Sequence, residues 1–243
     1  MNTAQHARPT AAERIGRTLG LLEKQLPLTR RVLRAGDRIY GAGEALDCLH
    51  VIHLGCVKTV NLAADGREQV VGLHFKGDWL GFDGIAGGRQ RCDAIAMDVT
   101  EVWSIRYAAL LEACATDRSV VAMLHDAMSR EISRDRESML SLCTLPADAR
   151  VADFLRGWAE TLAERGLRSD QITIHMTRAE IGNYLGMKLE TVSRALSRLA
   201  REKLISFNAT GRRDLQIHDV AALGEFIQRC LGVEAGASAA TVH

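Results

Sequence analysis

The chain has 243 residues, of which 47% are hydrophobic and 25% charged, with 31 basic and 30 acidic side chains. This composition is typical of a folded protein of one or two domains, and it excludes wholesale disorder, which needs few apolar residues and a large net charge. No uncharged apolar run approaches the roughly 18 residues of a membrane helix. The first 25 residues contain no apolar segment of the kind found in secretory signals. We therefore expect a cytoplasmic protein without a membrane partner.

Six cysteines are scattered along the chain, and none of them forms a C-x-x-C pair. In a cytoplasmic protein of this length we expect reduced thiols that behave as small buried residues rather than a disulfide scaffold. The sequence contains no G-x-S-x-G, H-E-x-x-H or P-loop motif. It therefore predicts no catalytic residues and no metal ligands, and an enzyme is not expected.

The N-terminal half has the sequence pattern of an antiparallel β-structure. Residues 1–25 are predicted to form a tail and a short helix, and residues 26–116 a sheet domain. Within that domain, short apolar runs are separated by Gly-Asp and Asp-Gly turns, which is typical of a sandwich or roll. The clearest runs are residues 49–52, 57–60, 69–73 and 100–105. The turn at 64–67 is the strongest hairpin signal.

A helical stretch follows, with neither proline nor glycine from Ala108 to Leu145. One long helix is the simplest interpretation, and its part from 117 to 145 repeats apolar residues at the spacing of a paired seam. A core helix within one globule is the alternative, but the length favours dimerisation, and Pro146 ends the helix. If Asp135 meets its copy at a two-fold axis, the like charges oppose pairing. The predicted dimer seam consists of Val121, His125, Met128, Ile132, Asp135, Met139 and Leu142.

Residues 146–220 are predicted to form a compact helical segment with a helix-turn-helix. Thr177-Arg178-Ala179-Glu180 has the form of a capping box and opens a first helix that ends at Gly186. A second helix follows from Leu189 to about Lys203, so the two are joined by a glycine-containing turn. Two short strands around 204–207 and 215–217 then predict a wing. Residues 221–243 are predicted to form a C-terminal helix and tail.

Basic charge is concentrated on this segment. Between residues 172 and 213 there are eight basic residues and three acidic ones, a net charge of +5, so the rest of the chain carries −4. A basic face on a helix-turn-helix is typical of DNA binding.

The helix-turn-helix reads Ile181-Gly182-Asn183-Tyr184-Leu185-Gly186, and its second helix contains Glu190-Thr191-Val192-Ser193-Arg194. These motifs resemble the CRP/FNR family of transcription regulators, and Glu-x-x-Ser-Arg is closest to the FNR branch. Upstream, Gly77-Asp78-Trp79-Leu80-Gly81-Phe82-Asp83 resembles the sensor domain of the same branch. The resemblance spans about residues 26–220. It implies an α+β protein with an N-terminal cyclic-nucleotide-binding-like β-roll, a long dimerisation helix and a C-terminal winged helix-turn-helix.

The resemblance further implies a homodimer on double-stranded DNA, at an inverted repeat with TTGAT-like half-sites, with Glu190, Ser193 and Arg194 facing base edges. The chemistry agrees, because arginine suits guanine, glutamate accepts from cytosine, and serine adapts to either. Lys188 stands where the family has a threonine, which removes a helix cap and adds a cation. The hairpin at 64–69, a contact of RNA polymerase in the family, favours an activator. The predicted contacts to the DNA backbone are Thr177, Arg178, Lys188, Thr191, Arg198, Arg212 and Arg213.

The sensed signal stays open. No cysteine precedes Cys48, and Trp103 stands where the FNR roll has a cysteine, so we do not expect an FNR-type iron–sulfur cluster. We do not expect cyclic AMP either, because Phe82, Cys92 and Asp93 occupy the positions that hold its ribose and phosphate in the family. The residues predicted to line an effector pocket are Phe82, Arg89, Arg91 and Cys92.

Two sensor chemistries remain open beside these. Haem requires an axial ligand, and the roll offers His50, His53 and His74. A redox role for Cys92 or Cys114 requires a basic neighbour that lowers the thiol pKa. It is equally open that no small ligand is needed and that abundance sets activity.

An alternative to a DNA-binding regulator is a cyclic-nucleotide-binding-like module that acts through a protein partner. The charge of +5 and the predicted exposure of Glu190, Ser193 and Arg194 argue against this alternative.

Overall fold

In the computed structural model, which describes residues 10–62, 66–207 and 214–232, an N-terminal helix leads into a β-roll, and further helices and a small sheet follow. This arrangement confirms the predicted α+β class. The chain forms two units, residues 1–135 with 164–166 and residues 136–163 with 167–243. No helix among the described residues is both long and apolar enough to cross a lipid bilayer.

The first unit contains the roll and the helices that cover it. Its helices are α1 (Ala11–Gln25), α2 (Tyr107–Thr116) and the beginning of α3 (Arg118–Thr144). Its strands are β1 (Leu28–Leu33), β2 (Arg38–Tyr40), β3 (Cys48–Leu54), β4 (Cys56–Leu62), β5 (Glu68–Phe75), β6 (Trp79–Leu80), β7 (Asp93–Ala96) and β8 (Thr100–Arg106), with a 3-10 helix at Phe82–Gly87. The four predicted apolar runs lie in β3, β4, β5 and β8, which confirms them.

The second unit contains the rest of α3 and the helix-turn-helix. Its further elements are α4 (Ala147–Glu164), β9 (Gln171–Thr173), α5 (Arg178–Tyr184), α6 (Leu189–Arg201), β10 (Ile205–Phe207), β11 (Asp214–Ile217) and α7 (Val220–Cys230). Strands β10 and β11 pair antiparallel, as the predicted wing requires, and β9 joins β11 to make a third strand that the sequence did not indicate as part of the wing.

The roll consists of two four-stranded antiparallel sheets, ordered β1-β8-β3-β6 and β2-β7-β4-β5. One buried cluster, which includes Ile52 and Val57, joins residues from both sheets. A second cluster covers the other face of the first sheet, where Val51 packs with residues of α1, α2 and α3. Successive strand residues point to opposite faces, so adjacent Val51 and Ile52 belong to different clusters. The strand is therefore apolar almost throughout, because both of its faces are covered.

The helical stretch after the roll is interrupted, so the prediction of one helix from Ala108 is wrong. Helices α2 and α3 are separated at Asp117, whose backbone is extended. The carboxylate of Asp117 accepts a hydrogen bond from the amide of Ser119 at 2.7 Å. An aspartate in this position satisfies a free N–H group at the start of a helix and so favours a new helix over continuation. The predicted start of the dimerisation helix at 117 lies at this break.

Candidate nucleic-acid interface

The first helix of the helix-turn-helix begins with the predicted capping box. The hydroxyl of Thr177 accepts from the Glu180 amide at 3.1 Å, and the Glu180 carboxylate accepts from the Thr177 amide at 2.7 Å. The same hydroxyl also donates to the Glu180 carboxylate at 2.8 Å. The box is therefore confirmed, and a DNA phosphate at Thr177 would have to displace one of its bonds.

The turn between α5 and α6 depends on two glycines. A Cβ on Gly182 would lie 2.6 Å from the carbonyl oxygen of Met187, and Gly186 has a φ of +63°, which favours glycine. The amide of Met187 donates to the carbonyl of Gly182 at 2.8 Å. The close approach explains the glycine at position 182, and the positive φ explains the glycine at position 186.

Helix α6 buries one face and exposes the opposite one. Val192, Leu196 and Leu199 are buried, while Glu190 and Arg194 are exposed and Ser193 is half-buried. Positions 190, 193 and 194 are neighbours on a helix surface. The predicted base-reading residues therefore share one accessible face. Their contacts with bases stay a prediction.

The start of α6 lacks a side-chain cap. Lys188 occupies the N-cap position and makes no hydrogen bond from its side chain to the first turn, as expected from the replacement of threonine. Lys188 is exposed and Thr191 is half-buried, so both are accessible to a phosphate.

The predicted backbone contacts on α5 and α6 differ in their existing partners. Arg178 lies 3.3 Å from the hydroxyl oxygen of Ser193, to which it donates, and its guanidinium lies over the ring of Phe207. Arg198 donates to Asp148 at 2.7 Å and to Glu202 at 3.1 Å. A phosphate at Arg198 would therefore compete with two carboxylates. Arg212 and Arg213 lie outside the described residues.

A groove of about 630 Å³ lies beside α6 within the second unit. Its cationic side contains Arg194, Arg198 and Arg201, and the start of α4 forms part of the opposite wall. Within the described ranges, no carboxylate forms an ion pair with Arg194 or Arg201. These two cations are therefore available to an anionic partner.

Arg150 is a residue of this unit that the sequence analysis missed. Its guanidinium donates to the carbonyl of Leu185, at the end of α5, and to the carbonyl of Leu145. Neither partner is a side chain, so no pattern of residue types indicated this contact.

Most residues of the predicted dimer seam on α3 are exposed among the described residues. Ile132, Met139 and Leu142 are 49%, 65% and 39% exposed, which is unusual for a row of large apolar side chains. His125 and Asp135 are also exposed, and Val121 and Met128 are half-buried. The other side of α3 packs on the roll through Val120, Met123 and Ala127. Within the described part of the chain, α3 therefore has one apolar face that packs on the roll and a second that includes exposed apolar side chains.

The roll-facing side of α3 becomes charged after Ala127. Arg134 donates to the Asp78 carboxylate at 2.5 Å, and Arg165 donates to its other oxygen at 2.9 Å. Burial alone raises the pKa of Asp78, but the two guanidinium groups outweigh it, so this pKa lies below its ordinary value. The neighbouring Glu131 is different, because burial raises its pKa to about 7. Neither the ion pairs of Asp78 nor the buried carboxyl of Glu131 was predicted from the sequence.

The effector pocket predicted at Phe82, Arg89, Arg91 and Cys92 stays a prediction, and these side chains differ in their surroundings. Phe82 stacks on Trp79 in the cluster on the helix-covered face of the first sheet, with 5.6 Å between ring centroids. Cys92 is buried in the cluster between the sheets. Arg89 and Arg91 are exposed, and Arg89 donates to the carbonyl of Gly43.

The surroundings of Cys92 do not fit a cyclic nucleotide or a reactive thiol. Burial, followed by the Asp83 carboxylate 3.5 Å away, raises the pKa of Cys92 to about 12. Burial also raises the pKa of Cys114. The nearest arginines in the sequence, Arg89 and Arg91, are exposed and are not among the causes of the Cys92 pKa shift. The carboxylates of Asp83 and Asp93 next to Cys92 disfavour a nucleotide phosphate at this position.

The three roll histidines each have a neighbour within the roll. Burial lowers the pKa of His50 and of His74 to about 4, so both are neutral at pH 7. Nδ1 of His50 lies 2.8 Å from the Ser104 hydroxyl, and Nε2 of His74 lies 3.1 Å from the Thr59 hydroxyl. The ring of His53 stacks on a tryptophan. A haem ligand drawn from His50 or His74 would therefore have one ring nitrogen already engaged.

Comparisons with known proteins match both units. A Crp-like helix-turn-helix domain model matches residues 149–226, and a cyclic nucleotide-binding domain model matches residues 30–117. The transcriptional regulatory protein btr of Bordetella pertussis is 31% identical over 215 residues, which cover 88% of each chain. The transcriptional activator protein Anr of Pseudomonas protegens is 34% identical over 176 residues, 72% of each chain. The solved structure of FixK2 from Bradyrhizobium japonicum has a TM-score of 0.73 and 30% identity, and the match covers 88% of this chain and all of that one.

Proposed function

Because the chain belongs to the CRP/FNR family of transcription regulators, which are not enzymes, we propose that it binds an inverted DNA repeat as a homodimer through α6. The observation that carries this proposal is the shared exposed face of Glu190, Ser193 and Arg194. A helix with such a face fits the major groove, where base pairs present distinct donor and acceptor patterns. The proposed half-site is TTGAT-like.

The electrostatics support selective rather than indiscriminate binding. Arg194, Arg201 and Lys188 are exposed, whereas Arg198 is neutralised by Asp148 and Glu202. The phosphate backbone supplies most of the non-specific affinity of a DNA-binding protein, and this affinity grows with the number of cations. A modest set of accessible cations therefore leaves more of the selection to base contacts.

The dimer is supported by the uncovered apolar face of α3. Ile132, Met139 and Leu142 are spaced along one side of the helix, as in a coiled-coil seam. A two-fold dimer on this face would present two copies of α6 to half-sites about one DNA turn apart.

Activation is the proposed direction of control, with RNA polymerase as the partner. Anr, a relative over 72% of this chain, is a transcriptional activator. The proposed contact is the hairpin between β4 and β5, of which residues 63–65 lie outside the described part. A cyclic-nucleotide-binding-like module acting on a protein partner is less well supported, because it leaves the α6 face without a role.

The test compares binding to a TTGAT palindrome with binding to random DNA of the same length. For Arg194→Ala we expect a loss of about 1–3 kcal/mol on the palindrome and a relaxed preference at one base pair. Arg168→Ala is the matched control, because it removes the same charge from an exposed site in the same unit. Equal binding of the parent to both DNAs would contradict the proposal.

We propose that the sensor does not bind cyclic AMP, because carboxylates surround Cys92. The absorbance spectrum of freshly purified protein separates the other options. A Soret band would indicate haem, broad visible absorption would indicate a cluster, and neither would favour control by abundance.

A further inference from the structure

We infer that Arg150 is a positioning residue that fixes α6 relative to the C-terminal part of α3, and thereby sets the half-site spacing that the dimer accepts. The inference rests on the proposed function. It starts from two hydrogen bonds, from Nη1 of Arg150 to the Leu185 carbonyl at 2.8 Å and from Nε to the Leu145 carbonyl at 3.1 Å.

Both acceptors belong to helix ends. Leu145 follows the last residue of α3, and Leu185 is the C-cap of α5. The last carbonyls of a helix have no partner within it and are satisfied by other donors. The planar guanidinium offers several donors in fixed directions, so one side chain can hold two carbonyls at once. Arg150 is therefore a rigid bridge between the ends of two helices.

The bridge ends at the turn that leads into α6. The first residue of α6, Leu189, follows Leu185 by only four residues along the chain. That turn has little freedom, because the Met187 carbonyl contacts Gly182 and the Met187 amide is bonded to it. A displacement at Leu185 is therefore transmitted to α6.

The C-terminal part of α3 packs within the same unit as α6. Ser141 donates to Asp153 of α4 at 2.8 Å, and Tyr184 of α5 lies edge-on to Phe154 of α4. These contacts join α3 and α5 to α4, which carries Arg150. Among the described residues, Arg150 supplies the hydrogen bond between α4 and the turn. Without Arg150, α6 is still linked to α4 by the ion pair of Arg198 with Asp148, but the turn itself loses this bond to α4.

The geometry matters because the seam residues Met139 and Leu142 lie on this part of α3. In a dimer on that seam, the orientation of α6 relative to α3 determines the distance and rotation between the two copies of α6. One base pair of extra spacing shifts a half-site by about 3.4 Å and rotates it by about 34°. Arg150 should therefore affect which spacing is bound, and not which base is read.

The experiment measures affinity for TTGAT palindromes whose half-site spacing is varied one base pair at a time. The proteins are the parent, Arg150→Met, Arg150→Lys and the control Arg156→Met. Arg156 lies on the same helix, but its ion pairs among the described residues are with Asp153 and Glu160 of α4 itself. We expect Arg150→Met to reduce the ratio of best to next-best spacing by about tenfold, equivalent to about 1.4 kcal/mol. Arg150→Lys should fall between Arg150→Met and the parent, because lysine keeps the charge and hydrogen-bond donors but lacks the fixed donor directions of the guanidinium. The control should keep the parent ratio.

Three outcomes are decisive. A flattened spacing profile with an unchanged preference at each base pair supports the inference. An equal loss at all spacings overturns it, since a purely structural role lowers every affinity alike, and Arg150→Lys provides this comparison if Arg150→Met does not fold. Failure of the parent to prefer any palindrome over random DNA overturns the proposed function, and the inference with it.

Discussion

The half-buried carboxyl of Glu131 gives the protein a pH-dependent stability that one substitution should remove. Burial, only partly offset by Arg134 and assisted by nearby carboxylates, raises its pKa from 4.5 to about 7. Among the described residues, no group donates a hydrogen bond to its Oε2 atom. In the unfolded chain this carboxyl ionises near its ordinary pKa, so the folded state binds its proton more tightly than the unfolded state does.

The contribution of Glu131 to the free energy of unfolding depends on how its pKa differs between the folded and unfolded states. Because the folded pKa is raised, stability from this group is complete below about pH 4.5 and is lost as the pH rises through about 7. A difference of about 2.5 pH units corresponds to about 3.4 kcal/mol at most. Partial exposure of Glu131 to solvent reduces this figure, and we expect about 1–2 kcal/mol. Glu131→Gln, which cannot ionise, should therefore be more stable than the parent by this amount near pH 8.5.

The assay is urea unfolding at one fixed protein concentration, near pH 8.5 and near pH 5. The gain from Glu131→Gln should shrink to less than half at the lower pH, where the folded parent holds its proton. Glu137→Gln, at an exposed position of the same helix, is the control and should show no gain. A gain of equal size at both pH values, or in the control, would refute the reasoning.

Three further substitutions test other features. Asp78→Asn leaves Arg134 and Arg165 without their counter-charge and should cost about 3 kcal/mol in urea unfolding. Since the Asp78 pKa is lowered, the parent should lose this contribution only in acid, as the pH falls through the folded pKa. Asp135→Ala removes like charges from the proposed seam and should strengthen the dimer in sedimentation analysis. Gly182→Ala would put a methyl carbon 2.6 Å from a carbonyl oxygen of the turn, and should lower thermal stability by about 1–3 kcal/mol.

Each of these has a matched control in the same chain. Asp170→Asn breaks an exposed ion pair with Arg168 and should cost less than about 1 kcal/mol. Glu137→Ala should leave self-association unchanged, and an unchanged dimer in Asp135→Ala would count against the seam. Gly157→Ala places a methyl group in open space within α4. Equal effects of Gly157→Ala and Gly182→Ala would show that the close approach at the turn does not matter.

The sequence predicted those parts of the fold whose signals are local. The capping box at Thr177 involves residues three positions apart, and the turn glycine Gly186 marks a left-handed backbone by its residue type alone. The strand runs were recognisable because turns of glycine and aspartate separate them. The break at Asp117 is also local, but an aspartate cap is a weaker signal than proline or glycine. A stretch without proline and glycine therefore predicts one uninterrupted helix.

The features that the sequence did not reveal depend on distant partners. Asp78 and Arg134 are 56 residues apart, and no pattern within either segment indicates that they meet. Arg150 binds main-chain carbonyls, which every residue offers. The surroundings of Phe82 and Cys92 were not evident for a related reason, because the two residues pack into different buried clusters although they are close in sequence.

The uncovered apolar face of α3 has a consequence for how much protein a cell must hold. If two chains are needed to cover that face, the free energy of unfolding depends on concentration, because the dimer gains stability by mass action. Dilution then weakens the fold and DNA binding together. Below a threshold abundance, single chains expose Ile132 and Met139 to the proteases and chaperones that recognise such surfaces. A regulator built in this way responds to its own rate of synthesis, with a switch-like dependence that one-to-one binding of a ligand does not provide.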